Sequence, residues 1–138
     1  MFSFKKIKEN RSYLRLTQKK NNYAFSEEDF RFFLSFEKER ADRGNHRFSL
    51  IVFNKRGYEA ENGTAQYLID NIIERVRDID IVGWHDSESI CVILPYTTFE
   101  GANKLVKCIS ETLNSSIPKS AYSVHTYPFG TRSRTIIA

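Results

Sequence analysis

Long apolar runs are missing from this chain. The longest, Ser49 to Phe53 and Ile90 to Pro95, are far too short to span a bilayer. The first ten residues, MFSFKKIKEN, lack the apolar stretch and small-residue cleavage site of a secretory signal. Cysteine is scarce as well. The two present, Cys91 and Cys108, sit inside apolar segments without metal-type spacing, and they are expected to be buried small hydrophobes in a reducing cytoplasm. No internal repeat and no low-complexity tract interrupts the chain. A cytoplasmic protein, or a cytoplasmic piece of one, is therefore expected.

What is present suits one folded domain. The chain has 138 residues, of which 41% are apolar and 14% aromatic, enough for an ordinary core and against disorder over the whole length. The net charge of +4 is uneven. Residues 1–22 hold seven of the 21 Lys and Arg and one of the 17 Asp and Glu, a net +6. The remainder carries 14 basic against 16 acidic residues, a net −2. The expected division is a basic, flexible arm over 1–22 and a folded domain over 23–138. The arm reads as a solvated terminus. Contact with an anionic membrane surface is the alternative, and no nucleic-acid partner is assigned. Tyr13, Leu14 and Leu16 leave room in it for a short docking strand.

Ser26 opens the first clear element, a helix capped by its hydroxyl, with Asp29 three residues on. Phe30, Phe33, Leu34 and Phe36 form its apolar stripe, and Asp42 to Asn45 end it. The run Arg47 to Phe53 reads as a buried strand ending near Asn54. Lys55 to Gly63 reads as a polar loop. A helix from Thr64 follows, with Leu68, Ile72, Ile73 and Val76 on one face. Ile79 to Trp84 and Ser89 to Pro95 read as a hairpin about a His85 to Glu88 turn. Thr97 and Glu100 suggest a capping box for a helix bearing Ala102, Leu105, Val106, Ile109 and Leu113 at helical spacing. Ala121 to Tyr127 reads as a last strand. The order β-α-β-β-α-β, preceded by a helix, predicts an α+β, ferredoxin-like split β-α-β fold with helices packed on a mainly antiparallel sheet.

Two stretches carry a family resemblance. FEKERADRGNHRFSLIVFN and RDIDIVGWHDSESICVILPYTTFEGANKL resemble, in order, the arginine-rich helix end and first strand, and then the RxxD, five-residue spacer, hairpin and Leu-Pro strand, of GGDEF (diguanylate cyclase) domains. The resemblance spans roughly Ser26 to Tyr127, with its register set by Asp80 and by Leu94-Pro95. It implies the nucleotide-cyclase-like fold. In that register GGDEF becomes Asp86, Ser87, Glu88, Ser89 and Ile90. The paired glycines that let a backbone approach a nucleotide are replaced by residues with side chains, one of them acidic. Asn54 stands where the family has a metal-ligand aspartate, and a neutral amide is a weak Mg²⁺ ligand. The segment Lys55 to Ala60 has no match to the family's base-holding motif. Phosphoryl transfer needs metal charge and positioning, so the resemblance with these departures implies a degenerate domain without cyclase activity, with no cofactor and no metal.

One element of the pattern persists. Arg77-Asp78-Ile79-Asp80 matches the family's RxxD motif, whose arginine and aspartate bind cyclic di-GMP away from the catalytic pocket. The resemblance thus implies a regulatory cyclic di-GMP receptor acting on a protein partner, in settings such as exopolysaccharide synthesis, adhesion or motility. Arg77 can fork onto phosphate or guanine acceptors, and Asp80 can accept from a guanine N–H edge. The plainer alternative makes Arg77 a helix-end partner and Asp80 its salt-bridge mate, and the whole domain a ligand-free scaffold. Glu88 reads as a solvated turn residue, Trp84 as either an exposed stacking surface or a gap-filler, and His85 carries no assigned chemistry. Phe30, Phe33 and Leu34 belong to the core or to a homodimer face, core being preferred. After the last strand the family usually continues into a further helix and strand. Here nine residues follow Phe129, in which Thr135 to Ala138 would supply a short edge strand; a minimal domain and a piece of a longer protein both fit.

Overall fold

The computed structural model describes residues 23–55, 64–113 and 117–129. The basic arm and its docking strand, nearly all of the polar loop after Asn54, and the C-terminal edge strand lie outside the described residues. Among the described residues, three α-helices and four strands follow in the order α1 (Glu27–Gly44), β1 (Phe48–Asn54), α2 (Ala65–Arg75), β2 (Ile81–Asp86), β3 (Ser89–Pro95), α3 (Phe99–Leu113) and β4 (Tyr122–Tyr127), the last entered through a 3₁₀ turn at Lys119–Ala121. The sheet has the order β2-β3-β1-β4, with every pairing antiparallel. This is the split β-α-β arrangement expected from the sequence.

Period-2 alternation sorts the strand side chains onto two faces, and both faces are covered. Ile51, Phe53, Val82, Ile90, Val92, Leu94 and Val124 point to one side, where they meet Leu68, Ile72 and Ile73 of α2 and Ala102, Val106, Ile109 and Leu113 of α3. Phe48, Leu50, Ile81, Cys91 and Ile93 point to the other, where Phe30, Phe33 and Ala41 of α1 close over them. The near-continuous apolar runs of β1 and β3 follow from this two-sided burial. Phe30 and Phe33, each 1% exposed, are core residues. Burial of side chains of this size supplies about 1.5–3 kcal/mol each.

Local chemistry sets the helix ends. Ser26 Oγ accepts from Asp29 N (3.2 Å), with Glu27, Glu28 and Asp29 favourably placed in the positive first turn of α1. Asn45 closes that helix in the left-handed region (φ 53), its N–H donating to Ala41 O. Thr64 caps α2 by accepting from Tyr67 N (3.2 Å).

Four expectations need correction. The third helix is capped by Thr98, whose Oγ1 accepts from Gly101 N (3.0 Å), and not by a Thr97–Glu100 box; the Thr97 hydroxyl is engaged elsewhere. Strand β2 begins at Ile81 and not Ile79, because residues 78 and 79 form a turn closed by Asp80 N donating to Arg77 O (3.0 Å). That strand runs on to Asp86, leaving only Ser87 and Glu88 in the hairpin turn. Cys108 is exposed, since it lies off the Ala102–Val106–Ile109–Leu113 stripe of α3, while Cys91 is buried and burial pushes its thiol pKa well up.

One contact was not anticipated. Phe25, directly before α1, pairs in parallel with Gly83, its N–H donating to Val82 O (3.0 Å) and its C=O accepting from Trp84 N (2.9 Å). The edge of β2 is thereby partly covered. Gly83 also lets α1 approach: a Cβ there would lie 2.5 Å from Phe30 Cδ1. The expected result for Gly83→Ala is a loss of about 1–3 kcal/mol in urea unfolding, from overpacking against Phe30.

On β4, His125 is 4% exposed, with Nε2 2.8 Å from Ser123 Oγ and no hydrogen-bond partner for Nδ1 among the described residues. Burial, helped by the charge of His85, lowers its pKa from the ordinary 6.5. The unfolded chain therefore takes up a proton there before the folded one does. Stability tied to this group is complete above the unfolded value of about 6.5 and is lost as pH falls below it. Urea midpoints should fall as the solution is acidified through this range, and His125→Gln should flatten the fall.

Candidate functional site

Two clusters of the sequence-picked residues form, at opposite ends of β3. The first is the tip where β1 ends and the β2–β3 hairpin turns. Asn54 stands opposite Ser89 in the ladder, and Lys55 N donates to Glu88 O (2.8 Å), so Asn54, Asp86, Ser87, Glu88 and Ser89 are brought together. A bulge between Trp84 and Asp86 adds the twist that a two-residue connection needs, and neither Ser87 nor Glu88 has a positive φ. Glycines are therefore dispensable to this turn. Asp86 shapes it from within: its Oδ1 accepts from Glu88 N at 2.8 Å.

The tip is a poor donor set for Mg²⁺. At the end of β1 it offers the neutral amide of Asn54, and one oxygen of Asp86 is committed to the turn. Among the described residues, no group of three or more His, Cys, Asp or Glu could hold a metal ion. Asp86, Ser87, Glu88 and His85 are exposed, whereas Trp84 is partly buried and packs against the core beside the sheet. Of the two readings of Trp84, gap-filling is the observed one.

The second cluster sits at the other end of β3 and is far more ordered. Asp80 is buried, its side chain 2% exposed, and both its oxygens accept from Arg77. Arg77 N (2.7 Å) and Nε (3.1 Å) donate to Oδ2, and Nη2 (2.8 Å) donates to Oδ1. The Arg77 side chain is 51% exposed, so one face of this pair is protein and the other is solvent. The same Nη2 donates to Pro95 O (3.0 Å) and to Thr97 Oγ1 (2.9 Å).

The β3–α3 connector is thus gripped from several sides. Ser49 Oγ, fully buried on β1, donates to Thr97 O (2.7 Å), and Tyr96 N donates to Arg47 O (3.0 Å). The sequence pattern singles out Arg77 and Asp80, whereas Pro95, Tyr96 and Thr97, of the connector that Arg77 grips, carry no such pattern. Only their closeness in the fold to the α2–β2 turn reveals them. In the structure Arg77 and Asp80 are spent on each other. A ligand would reach the outer face of Arg77 directly, and Asp80 only by displacing Arg77.

Removing charge from the buried partner should unpin the turn and the connector together. Asp80→Asn is expected to lower stability by about 1.5–3 kcal/mol in denaturant titration, the usual cost of losing hydrogen bonds to a charged group. Arg77→Lys, which keeps the charge but not the fork, should cost less.

No family model matches the chain, and no curated protein matches it. Solved structures do. A DGC protein from Thermotoga maritima superposes with a TM-score of 0.61 at 19% identity, covering 78% of this chain and 84% of that one. The GGDEF domain of a Pseudomonas aeruginosa protein (TpbB or YfiN) gives 0.58 at 16% identity, covering 76% and 72%. The GGDEF domain of DgcB from Caulobacter crescentus, solved in complex with c-di-GMP, gives 0.50 at 14% identity, covering 75% and 70%. At these identities the likeness is one of fold. The described residues have the fold of a GGDEF domain: an α+β unit built on an antiparallel four-stranded sheet.

Proposed function

We propose that this chain is a catalytically silent GGDEF-fold signalling module that binds cyclic di-GMP at Arg77 and regulates a protein partner. The observation that carries the proposal is the Arg77 guanidinium, half-exposed yet fixed by a buried carboxylate, a backbone carbonyl and a hydroxyl. A pre-oriented guanidinium suits the phosphate oxygens and the guanine acceptor edge of such a ligand, because little side-chain entropy remains to be lost on binding. Asp80, buried beneath the guanidinium, serves to aim Arg77 at the ligand. The DgcB domain, of like fold, was solved with c-di-GMP bound.

Silence at the tip is inferred from Asn54, Asp86 and Ser87. Phosphoryl transfer depends on metal-borne positive charge at the phosphates, which this donor set supplies poorly. The burial of Asp80 favours a second reading, a ligand-free scaffold in which the Arg77–Asp80 pair is purely architectural. No helix among the described residues is long and apolar enough to cross a membrane.

Isothermal titration with cyclic di-GMP separates the two readings. The receptor reading predicts micromolar or tighter binding that Arg77→Lys weakens by tenfold or so, with no turnover of GTP in Mg²⁺. Absence of heat at high protein concentration selects the scaffold, and metal-dependent GTP turnover overturns the silence of the tip.

A further inference from the structure

Two described non-glycine residues have a left-handed backbone. Asn45 (φ 53) ends α1, where asparagine is at home; Tyr96 (φ 56) follows directly on β3, where a bulky aromatic is not. The turn at Tyr96 would be served better by glycine or asparagine, and strain retained at such a place points to a use for the side chain. Tyr96 is 58% exposed, more than any other large hydrophobic residue among the described residues.

The ring is nevertheless held. His46 stacks on it (centroids 4.1 Å apart, planes 24° apart), and Arg40 Nη2 lies 3.4 Å from the phenolic oxygen. The Arg40 support is braced by the buried Glu37, which accepts from Arg40 Nη1 at 2.8 Å; His46 Nε2 lies 3.6 Å from the same carboxylate, beyond hydrogen-bonding distance. Most telling is the position along the chain. The two groups that fix Arg77 Nη2, Pro95 O and Thr97 Oγ1, belong to the residues on either side of Tyr96. The half-exposed Tyr96, with His46 stacked on its ring and the Arg40 guanidinium 6.0 Å from the ring centroid, thus belongs to the same short connector that fixes the half-exposed Arg77 guanidinium.

We propose that Tyr96 is a stacking shelf of the nucleotide site: a guanine base of the cyclic dinucleotide lies on its exposed ring while Arg77 takes the phosphate or acceptor edge. This rests on the reading of Arg77 as the cyclic di-GMP contact and adds the residue that supplies the apolar part of recognition. Base–aromatic stacking is tolerant of geometry and needs a ring fixed in advance, which the His46 stack and the Tyr96 backbone provide.

The test compares cyclic di-GMP titrations of the wild-type chain, Tyr96→Asn and Tyr96→Phe. Asparagine accepts the left-handed backbone, so Tyr96→Asn should keep its thermal midpoint at or above that of the wild type while binding roughly tenfold or more weakly. Tyr96→Phe, which retains the ring, should bind within about threefold of wild type. Wild-type-like binding by Tyr96→Asn, beside weakened binding by Arg77→Lys, overturns the shelf and leaves the receptor reading standing. Weak binding accompanied by a lowered midpoint makes Tyr96 a structural prop and likewise overturns the shelf. A wild-type chain that binds no cyclic di-GMP overturns both.

Discussion

Two-sided burial of the inner strands is the constraint on which the rest of this molecule depends. Strands β1 and β3 must bury apolar side chains above and below, so the sheet needs a helical layer on each face. Helices α2 and α3 supply one layer and α1 supplies the other, with Gly83 leaving room for the close approach of Phe30. The Phe25 bridge to β2 then sets where α1 starts. With the sheet so clamped, its two ends become the places where backbone turns back and polar residues gather.

The two ends differ in the kind of order they hold. At the hairpin tip, polar groups serve the turn itself: Asp86 bonds to Glu88 N, and the β2 bulge does work that glycines do elsewhere. At the other end, polar groups tie separate segments together. The buried carboxylate of Asp80 holds Arg77, Arg77 holds Pro95 and Thr97, and Ser49 holds Thr97 from beneath. A guanidinium tied in this way retains an open face with little freedom to lose, and Tyr96 stands beside it. The proposed division of labour follows from that contrast: chemistry has left the tip, and recognition remains at the far end of β3.

Much of the fold was legible because periodicity reports burial. Leu68, Ile72, Ile73 and Val76 are all buried as their spacing required, and Ser49 to Phe53 and Ile90 to Pro95 were apolar enough to be read as inner strands. What escaped was decided by contacts distant in sequence. A local rule favours Thr97, with Glu100 three residues on, and the engagement of the Thr97 hydroxyl by Arg77 leaves the cap to Thr98. Ile79 looks like a strand residue until Asp80 turns inward and closes the loop on Arg77. The closeness with which Phe30 of α1 packs on β2 depends on the missing Cβ of Gly83, which no periodic pattern registers. Arg77 and Asp80 were found from their motif alone; Tyr96 carries no motif, and its backbone conformation is what singles it out.

The central claim, that recognition sits at the Arg77 end of β3 and not at the hairpin tip, is tested most directly by amide chemical-shift mapping during a cyclic di-GMP titration. The account predicts saturable shifts at Arg77, Asp80, Tyr96 and Thr97, with Asn54 and the amides of residues 86–89 left in place. Shifts centred on Asn54 and Glu88, or none at all at saturating ligand, would contradict it.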